Sequence, residues 1–163
     1  MIEVRDAAEG DLDAFLAIYN DAVVNTTAVF DLEPRTMEVQ RNWFAAKRTA
    51  KMPVLSAVQD GAVVGFASYG IYRPWAAYLY SVENLIYVAP DRRGRGVGKA
   101  LLGPLVERAR SEGYHTMIAG IEATNAASVK LHARFGFVEA GLFREVGWKF
   151  NRWLDLVFLQ KML

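Results

Sequence analysis

The sequence predicts a single α/β domain over residues 1–163, with a mixed, mostly antiparallel sheet flanked by about four helices. Three observations carry this. Short strand-like runs joined by tight turn signals fill the first half, with Asp60-Gly61 a strong hairpin turn between two of them. A strand, a glycine-rich loop, a helix and a further strand follow one another in the second half, the order a parallel crossover needs. The chain has 163 residues, 53% hydrophobic and 23% charged, enough for one substantial core, and it shows no repeat, low-complexity tract or linker.

Taken in order, Ile2-Glu3-Val4-Arg5 alternates like a short strand. Asp11 then reads as the N-cap of a helix carrying Leu12, Phe15, Leu16, Tyr19 and Val23 at helical spacing. A second helix is expected after Thr36, with Val39, Trp43 and Phe44 on one face. Strands are expected over Val54–Val58 and Val63–Tyr69, and a long central strand over Leu79–Val88. A helix from about Gly96 to Glu112 follows, ended by Gly113 as its C-cap. Pro104 lies inside it, where a lost hydrogen bond costs about 3 kcal/mol, so a kink or a tightened segment is expected. Met117–Ile121 reads as a strand, Asn125–Phe135 as a short helix, and strands near Phe137–Glu139 and Trp153–Gln160 close the chain.

Bulk properties exclude several functions. The net charge of +1 offers no electrostatic match to nucleic acid as a whole, so any bound anion needs a local basic cluster. There is no cysteine, which removes disulfides, thiolate metal sites and a cysteine nucleophile, and suits a reducing cytoplasm. The charged N-terminus lacks a signal-peptide pattern, and no apolar run reaches the roughly 20 residues that span a bilayer. A soluble, cytoplasmic protein without a metal, nucleic-acid or membrane partner is the expectation.

Arg92-Arg93-Gly94-Arg95-Gly96-Val97-Gly98-Lys99 lies between the central strand and a helix. Glycines let the backbone turn its N–H groups inward, the helix start adds its dipole, and the cations add full charge, so the stretch suits a pyrophosphate. A Walker loop would need Gly at 93 and Ser or Thr at 100, where Arg93 and Ala100 stand. A Rossmann fingerprint from Gly94 would need glycine at 99, where Lys99 stands. The remaining pattern, Arg93-x-x-Gly96-x-Gly98, resembles the coenzyme A pyrophosphate loop of the GNAT acetyltransferases; a basic surface turn is the plainer alternative.

The stretch from Asn125 to Phe137 is similar to the second signature of that family, and the resemblance implies that Asn125 and Ser128 hydrogen-bond acetyl-CoA. His132 stands where the family often carries a tyrosine that protonates the departing thiolate. Histidine there agrees with the phosphinothricin and methionine sulfoximine acetyltransferases. Asn125 as a plain N-cap, Ser128 as a solvated residue and His132 as a packed histidine are the other readings. Resemblance to this subgroup extends through Leu16–Val23, Asn25–Ala28, Ser68–Gly70, Arg73-Pro74-Trp75, Ser81-Val82-Glu83, Val146–Phe150 and Arg152–Leu156. It implies acetylation of the α-amine of a small amino-acid analogue by direct attack in a ternary complex, and a homodimer with C-terminal residues near the partner's site.

Chemistry gives the remaining candidates work. An α-amine with a pKa near 8 is mostly protonated at neutral pH, so a base is needed, and Glu83, an acidic residue inside a strand, is the candidate. Main-chain N–H groups within Leu85, Ile86, Tyr87 and Val88 could polarise the thioester carbonyl if the strand splays there. Arg93, Gly94, Arg95, Gly96, Val97, Gly98 and Lys99 form the expected pyrophosphate site. Arg73 could pair with a substrate carboxylate, and Phe30 and Trp75 could wall its side chain. Acetylation of a peptide N-terminus or polyamine on the same fold, a non-catalytic coenzyme A sensor, and a nucleic-acid module remain as alternatives.

Overall fold

Runs of apolar residues at a period of two place seven strands in one sheet, and four amphipathic helices cover it. A computed structural model describes residues 1–163, with β1 Glu3–Asp6, α1 Leu12–Asn25, α2 Met37–Thr49, β2 Val54–Gln59, β3 Ala62–Ile71, β4 Ser81–Val88, α3 Val97–Ser111, β5 Thr116–Glu122, α4 Ala126–Arg134, β6 Val138–Lys149 and β7 Arg152–Met162. The sheet order is β1-β2-β3-β4-β5-β7-β6. Only β4 and β5 run parallel, joined by the crossover through α3.

Alternation along the central strands divides the interior into two cores. Leu55, Ala67, Tyr69 and Val82 pack under α3 with Leu101, Leu102 and Leu105. Val54 and Phe66, with Leu85 and Tyr87 at the margin, pack under α1 and α2 with Phe15, Tyr19 and Phe44. Odd residues of β4 therefore face α1 and α2, and even residues face α3 and α4. No helix is long and apolar enough to cross a membrane.

Five local expectations are corrected. Asp11 makes no side-chain cap on α1. Its buried carboxylate instead accepts from Arg5, from Ala8 N at 2.9 Å and from Ser56 Oγ at 2.7 Å, because a charge taken inside must find several donors. On α2, Val39 is exposed and Gln40 takes its place on the buried face beside Phe44. The central strand begins at Ser81, not Leu79: residues 76–78 form a 3₁₀ turn that leaves Leu79 and Tyr80 outside the ladder. The strand expected only near Phe137–Glu139 runs on to Lys149 and pairs with β7 through a two-residue turn, Phe150-Asn151, in which both residues have positive φ. Finally, α3 runs unbroken through Pro104, which faces solvent, where the carbonyl it deprives of a partner can meet water.

Candidate active site

The parallel pairing of β4 with β5 covers only Ser81–Thr116, Val82–Met117 and Glu83–Ile118. Beyond Glu83 the two strands part, while β4 stays paired to β3 as far as Val88. The phase of that ladder is fixed at its ends, where Tyr72 N donates to Ser81 O and Ala89 N donates to Val64 O. Alternation then commits the N–H groups of Leu85 and Tyr87 to β3 and turns those of Ile86 and Val88, beyond the last pairing with β5, into the gap. Of the expected carbonyl-polarising donors, Ile86 and Val88 are available and Leu85 and Tyr87 are not.

The gap opens into a cleft of about 540 Å³ and an adjoining cavity of about 90 Å³, which share Ile86, Tyr87, Glu122, Asn125 and Ser128 as wall. The glycine-rich loop closes one end of the cleft. Gly94 and Gly96 have φ of 74° and 87°, a conformation that favours glycine, with open space where a side chain would stand. Ala100 N is the first amide of α3 to bond back, to Gly96 O at 3.0 Å, so the N–H groups of Val97, Gly98 and Lys99 point out of the helix end. Gly98 has a second reason: a Cβ would lie 3.0 Å from Leu131 Cδ2, so its bareness lets α4 pack against α3.

The cations of the loop are not equivalent. Arg93 binds Asp21 of α1 at 2.8 Å and the Val88 carbonyl at 3.2 Å, so its charge is already matched and it staples the loop to α1 and β4. Arg92 pairs with Asp91 at 3.1 Å. Lys99 lines the cleft without an ion-pair partner, whereas Arg95 is exposed and outside the cleft wall. Arg134 of α4, which no motif singles out, joins Lys99 on the wall. These donors fit the pyrophosphate of a coenzyme.

On α4, Asn125 Oδ1 accepts from Ser128 N at 3.1 Å and caps the helix, while both residues line the cleft and the cavity. His132 is buried, with Nδ1 2.9 Å from Ser128 O and Nε2 3.2 Å from Asn84 Oδ1. Burial lowers its pKa, against an upward pull from Ser128 O, so the ring is neutral at pH 7. Ser128 O and Asn84 Oδ1 both only accept, so a neutral ring with its one proton on Nδ1 holds Asn84 through the amide turned to present Nδ2, otherwise a buried donor without a partner, to Nε2. In that arrangement the ring offers no proton on the nitrogen that faces β4.

Glu83 stands where the strands part, on the face of α1 and α2, with its side chain 32% exposed. A Cβ on Gly120 of β5 would fall 3.0 Å from its Oε1, so glycine there makes room for the carboxylate. Burial pushes the Glu83 carboxyl up and Arg73, with Nη1 3.8 Å from Oε2, pulls it back. A raised pKa suits a base working near neutrality.

Phe30 lies against β6, where a Cβ on Gly147 would sit 2.7 Å from its ring. Trp75 is 66% exposed, with Tyr78 edge-on beside it. The loop bearing Phe30 is pinned by contacts the sequence did not suggest. Thr27 Oγ1 donates to Glu122 at 2.7 Å, Tyr19 OH donates to Asp31, Arg35 stacks 3.6 Å over Tyr19, and buried Lys149 donates to Val29 O at 2.7 Å. Burial works upward on Glu122, yet hydrogen bonds from Thr124 and Thr27 hold its carboxyl below the usual range. No group of three or more His, Asp or Glu side chains is placed to hold a metal ion.

Known proteins match this geometry. A model of the acetyltransferase (GNAT) family matches residues 15–137. The L-methionine sulfoximine/L-methionine sulfone acetyltransferase of Pseudomonas paraeruginosa is 48% identical over 96% of this chain and 92% of its own. A crystal structure of a ribosomal-protein-alanine N-acetyltransferase from Brucella melitensis superimposes with a TM-score of 0.97 at 48% identity, over 99% of each chain. That of a phosphinothricin acetyltransferase from Sinorhizobium meliloti in complex with AcCoA does so with 0.97 at 36%, over 99% of this chain and 88% of that one.

Proposed function

The chain belongs to the GNAT acetyltransferase family and is an acetyl-CoA-dependent N-acetyltransferase, and from that premise we propose that its acceptor is the α-amine of a small amino-acid analogue of the methionine sulfoximine, methionine sulfone or phosphinothricin type. The observation that carries the chemistry is the parting of β4 and β5 after Glu83, which leaves the next stretch of β4, with the main-chain donors of Ile86 and Val88, as wall of the coenzyme cleft.

Acetyl-CoA supplies an acetyl thioester whose carbonyl carbon is open to an amine. Val97, Gly98, Lys99 and Arg134 hold its pyrophosphate end, and Asn125 and Ser128 border its arm. Ile86 and Val88 N–H polarise the carbonyl oxygen. Glu83 takes one proton from the α-ammonium, directly or through water; the nitrogen pair forms the N–C bond as the C–S bond breaks, the sulfur leaves as thiolate, and the surplus proton on the new amide nitrogen passes to that thiolate or to water. A thiol with a pKa near 8.5 departs without a dedicated acid, so His132 serves by holding Asn84 and the start of α4. Arg73 receives the substrate carboxylate, and Phe30 with Trp75 borders its side chain.

The working unit in this reading is a cytoplasmic homodimer. Support comes from β6, a 12-residue edge strand, and from exposed Phe143, Trp148, Phe150 and Trp153 on the last hairpin. An unpaired edge beside so much aromatic surface calls for a partner.

The test is coenzyme A thiol release with methionine sulfoximine, methionine sulfone, phosphinothricin, spermidine and an alanine-terminated ribosomal peptide as acceptors. Fast turnover of the sulfoximine or sulfone, lost at least a hundredfold in Glu83→Gln, is expected. Turnover of the peptide or spermidine alone would replace the substrate class and leave the coenzyme chemistry standing.

A further inference from the structure

Four elements surround Glu83, and they differ in what they bring to it. The loop after β3 brings Arg73, the one cation within 4 Å. From α2 comes Lys47, whose Nζ lies over Gly70, the residue paired with Glu83; it is committed to Tyr69 O at 2.8 Å, and burial lowers its pKa to about 8. β4 itself contributes Tyr87, with Asp31 and Arg35 of the α1–α2 loop beyond it. β5 contributes Ile118, paired with Glu83, and Gly120, with Phe158 of β7 behind.

Arg73 is held loosely. One guanidinium nitrogen donates to Tyr72 O at 3.1 Å and the plane lies 4.4 Å from the Tyr72 ring centre, while the side chain stays 43% exposed. Its 3.8 Å approach to Glu83 is an ion pair too long for a hydrogen bond. Such a contact gives way readily to a carboxylate that meets the guanidinium fork in two parallel bonds.

We propose that Arg73 couples recognition to catalysis: a substrate α-carboxylate docking on its guanidinium withdraws that cation from Glu83 and so strengthens Glu83 as the base, so that an α-carboxylate speeds turnover as well as aiding binding. This rests on the assignment of an amino-acid acceptor above.

The free enzyme holds Glu83 partly neutralised by Arg73, a weaker base than its burial alone would make it. A bound carboxylate cancels the positive charge and adds a negative one nearby, and both changes favour proton uptake by Glu83. The proton comes from the substrate α-ammonium and passes to water after transfer, so no further reactant is needed. An amine without the carboxylate leaves the Arg73–Glu83 pair intact and meets the weaker base. The interaction thus becomes stronger in the reacting complex than in the free enzyme, which raises kcat rather than only lowering KM.

The experiment compares methionine sulfone with its primary carboxamide in wild type, Arg73→Gln and Arg73→Lys, measuring kcat against pH. In wild type the acid limb should lie at higher pH with the carboxylate substrate, and neutral-pH kcat should be about tenfold above that of the amide. In Arg73→Gln the two acid limbs should merge, which separates the effect from the amide's own less basic amine, since that is common to both enzymes. Arg73→Lys, which keeps the charge, should keep the separation. Coincident limbs in wild type, with the amide's deficit confined to KM, would overturn the coupling and leave Arg73 as a binding group. Turnover of spermidine or peptide with no turnover of either sulfone compound would overturn the amino-acid assignment, and the coupling with it.

Discussion

At the scale of single residues, the site depends on what is missing as much as on what is present. Gly120 has no side chain where Glu83 Oε1 stands, and Phe158 closes the other side at 3.3 Å from the position of a Cβ. Gly120→Ala should therefore displace the carboxylate while the surrounding sheet stays folded. We expect kcat to fall about tenfold or more with little change in melting temperature, because small misplacements of a reacting group are costly. His132 yields the opposite expectation. A buried neutral ring whose single proton is committed to Ser128 O contributes no titration near neutrality to turnover. His132→Asn should reduce kcat/KM modestly and leave the shape of the pH profile unchanged; loss of a basic limb would restore the ring as a proton donor. Glu83 and His132 could both be picked from the sequence because acidic and imidazole side chains are conspicuous at those places. Gly120, Asn84 and Arg134 could not, since their value lies in distances to residues 35 or more positions away.

At the scale of elements, the glycine-rich loop and the helix after it were legible because their chemistry is local: turn, dipole and charge all lie within eight residues. The division of labour among its cations was not, because Arg93 finds Asp21 across 72 positions. The start of α1 shows the same limit. Asp11 sits where an N-cap belongs, yet its carboxylate bonds β1 through Arg5 and β2 through Ser56. The hydrogen bond from Arg5, partly offset by burial, with further bonds from Ala8 and Ser56, holds its pKa down at about 2. A carboxyl lowered from 3.8 contributes stability that is fully present above its unfolded pKa and lost as pH falls through about 2. Arg5 is more than a third exposed, so solvent screening discounts its share, and the part-buried bond from Ala8 and the buried bond from Ser56 add to it. Asp11→Ala should cost about 1–3 kcal/mol at pH 7, read by urea unfolding, for the donors it leaves unpaired. The difference from wild type should shrink between pH 4 and pH 2.

At the scale of the whole molecule, periodicity gave the strands as a list, whereas their order needed the pairing. That β5 lies between β4 and β7, and that β4 and β5 share only three paired positions, is a property of the assembled sheet, and the coenzyme cleft exists because of it. The last hairpin was the hardest part to read. Residues 138–149 include Arg144, Glu145 and two glycines, and the pairing slips between Phe143 and Gly147, which blurs the period-two pattern. The same hairpin carries Trp148 and Trp153, 4.9 Å apart in edge-on contact and each at least half exposed, on the outer strands of the sheet. Two tryptophans held in water would forgo much of the burial such side chains supply elsewhere. They also lie close in sequence to Lys149, which pins the Phe30 loop through Val29 O, and to Gly147, on which Phe30 rests. A second chain packed over this hairpin would therefore press on the residues that border the substrate. Trp148→Glu with Trp153→Glu places like charges in that contact and should convert a dimer to a monomer in sedimentation velocity. If the partner orders the Phe30 loop, KM for the acceptor should rise in the monomer while binding of acetyl-CoA, whose cleft is complete in one chain, should be unchanged. A monomeric wild type, or a monomeric variant with an unaltered KM, would leave the hairpin without a role in the site.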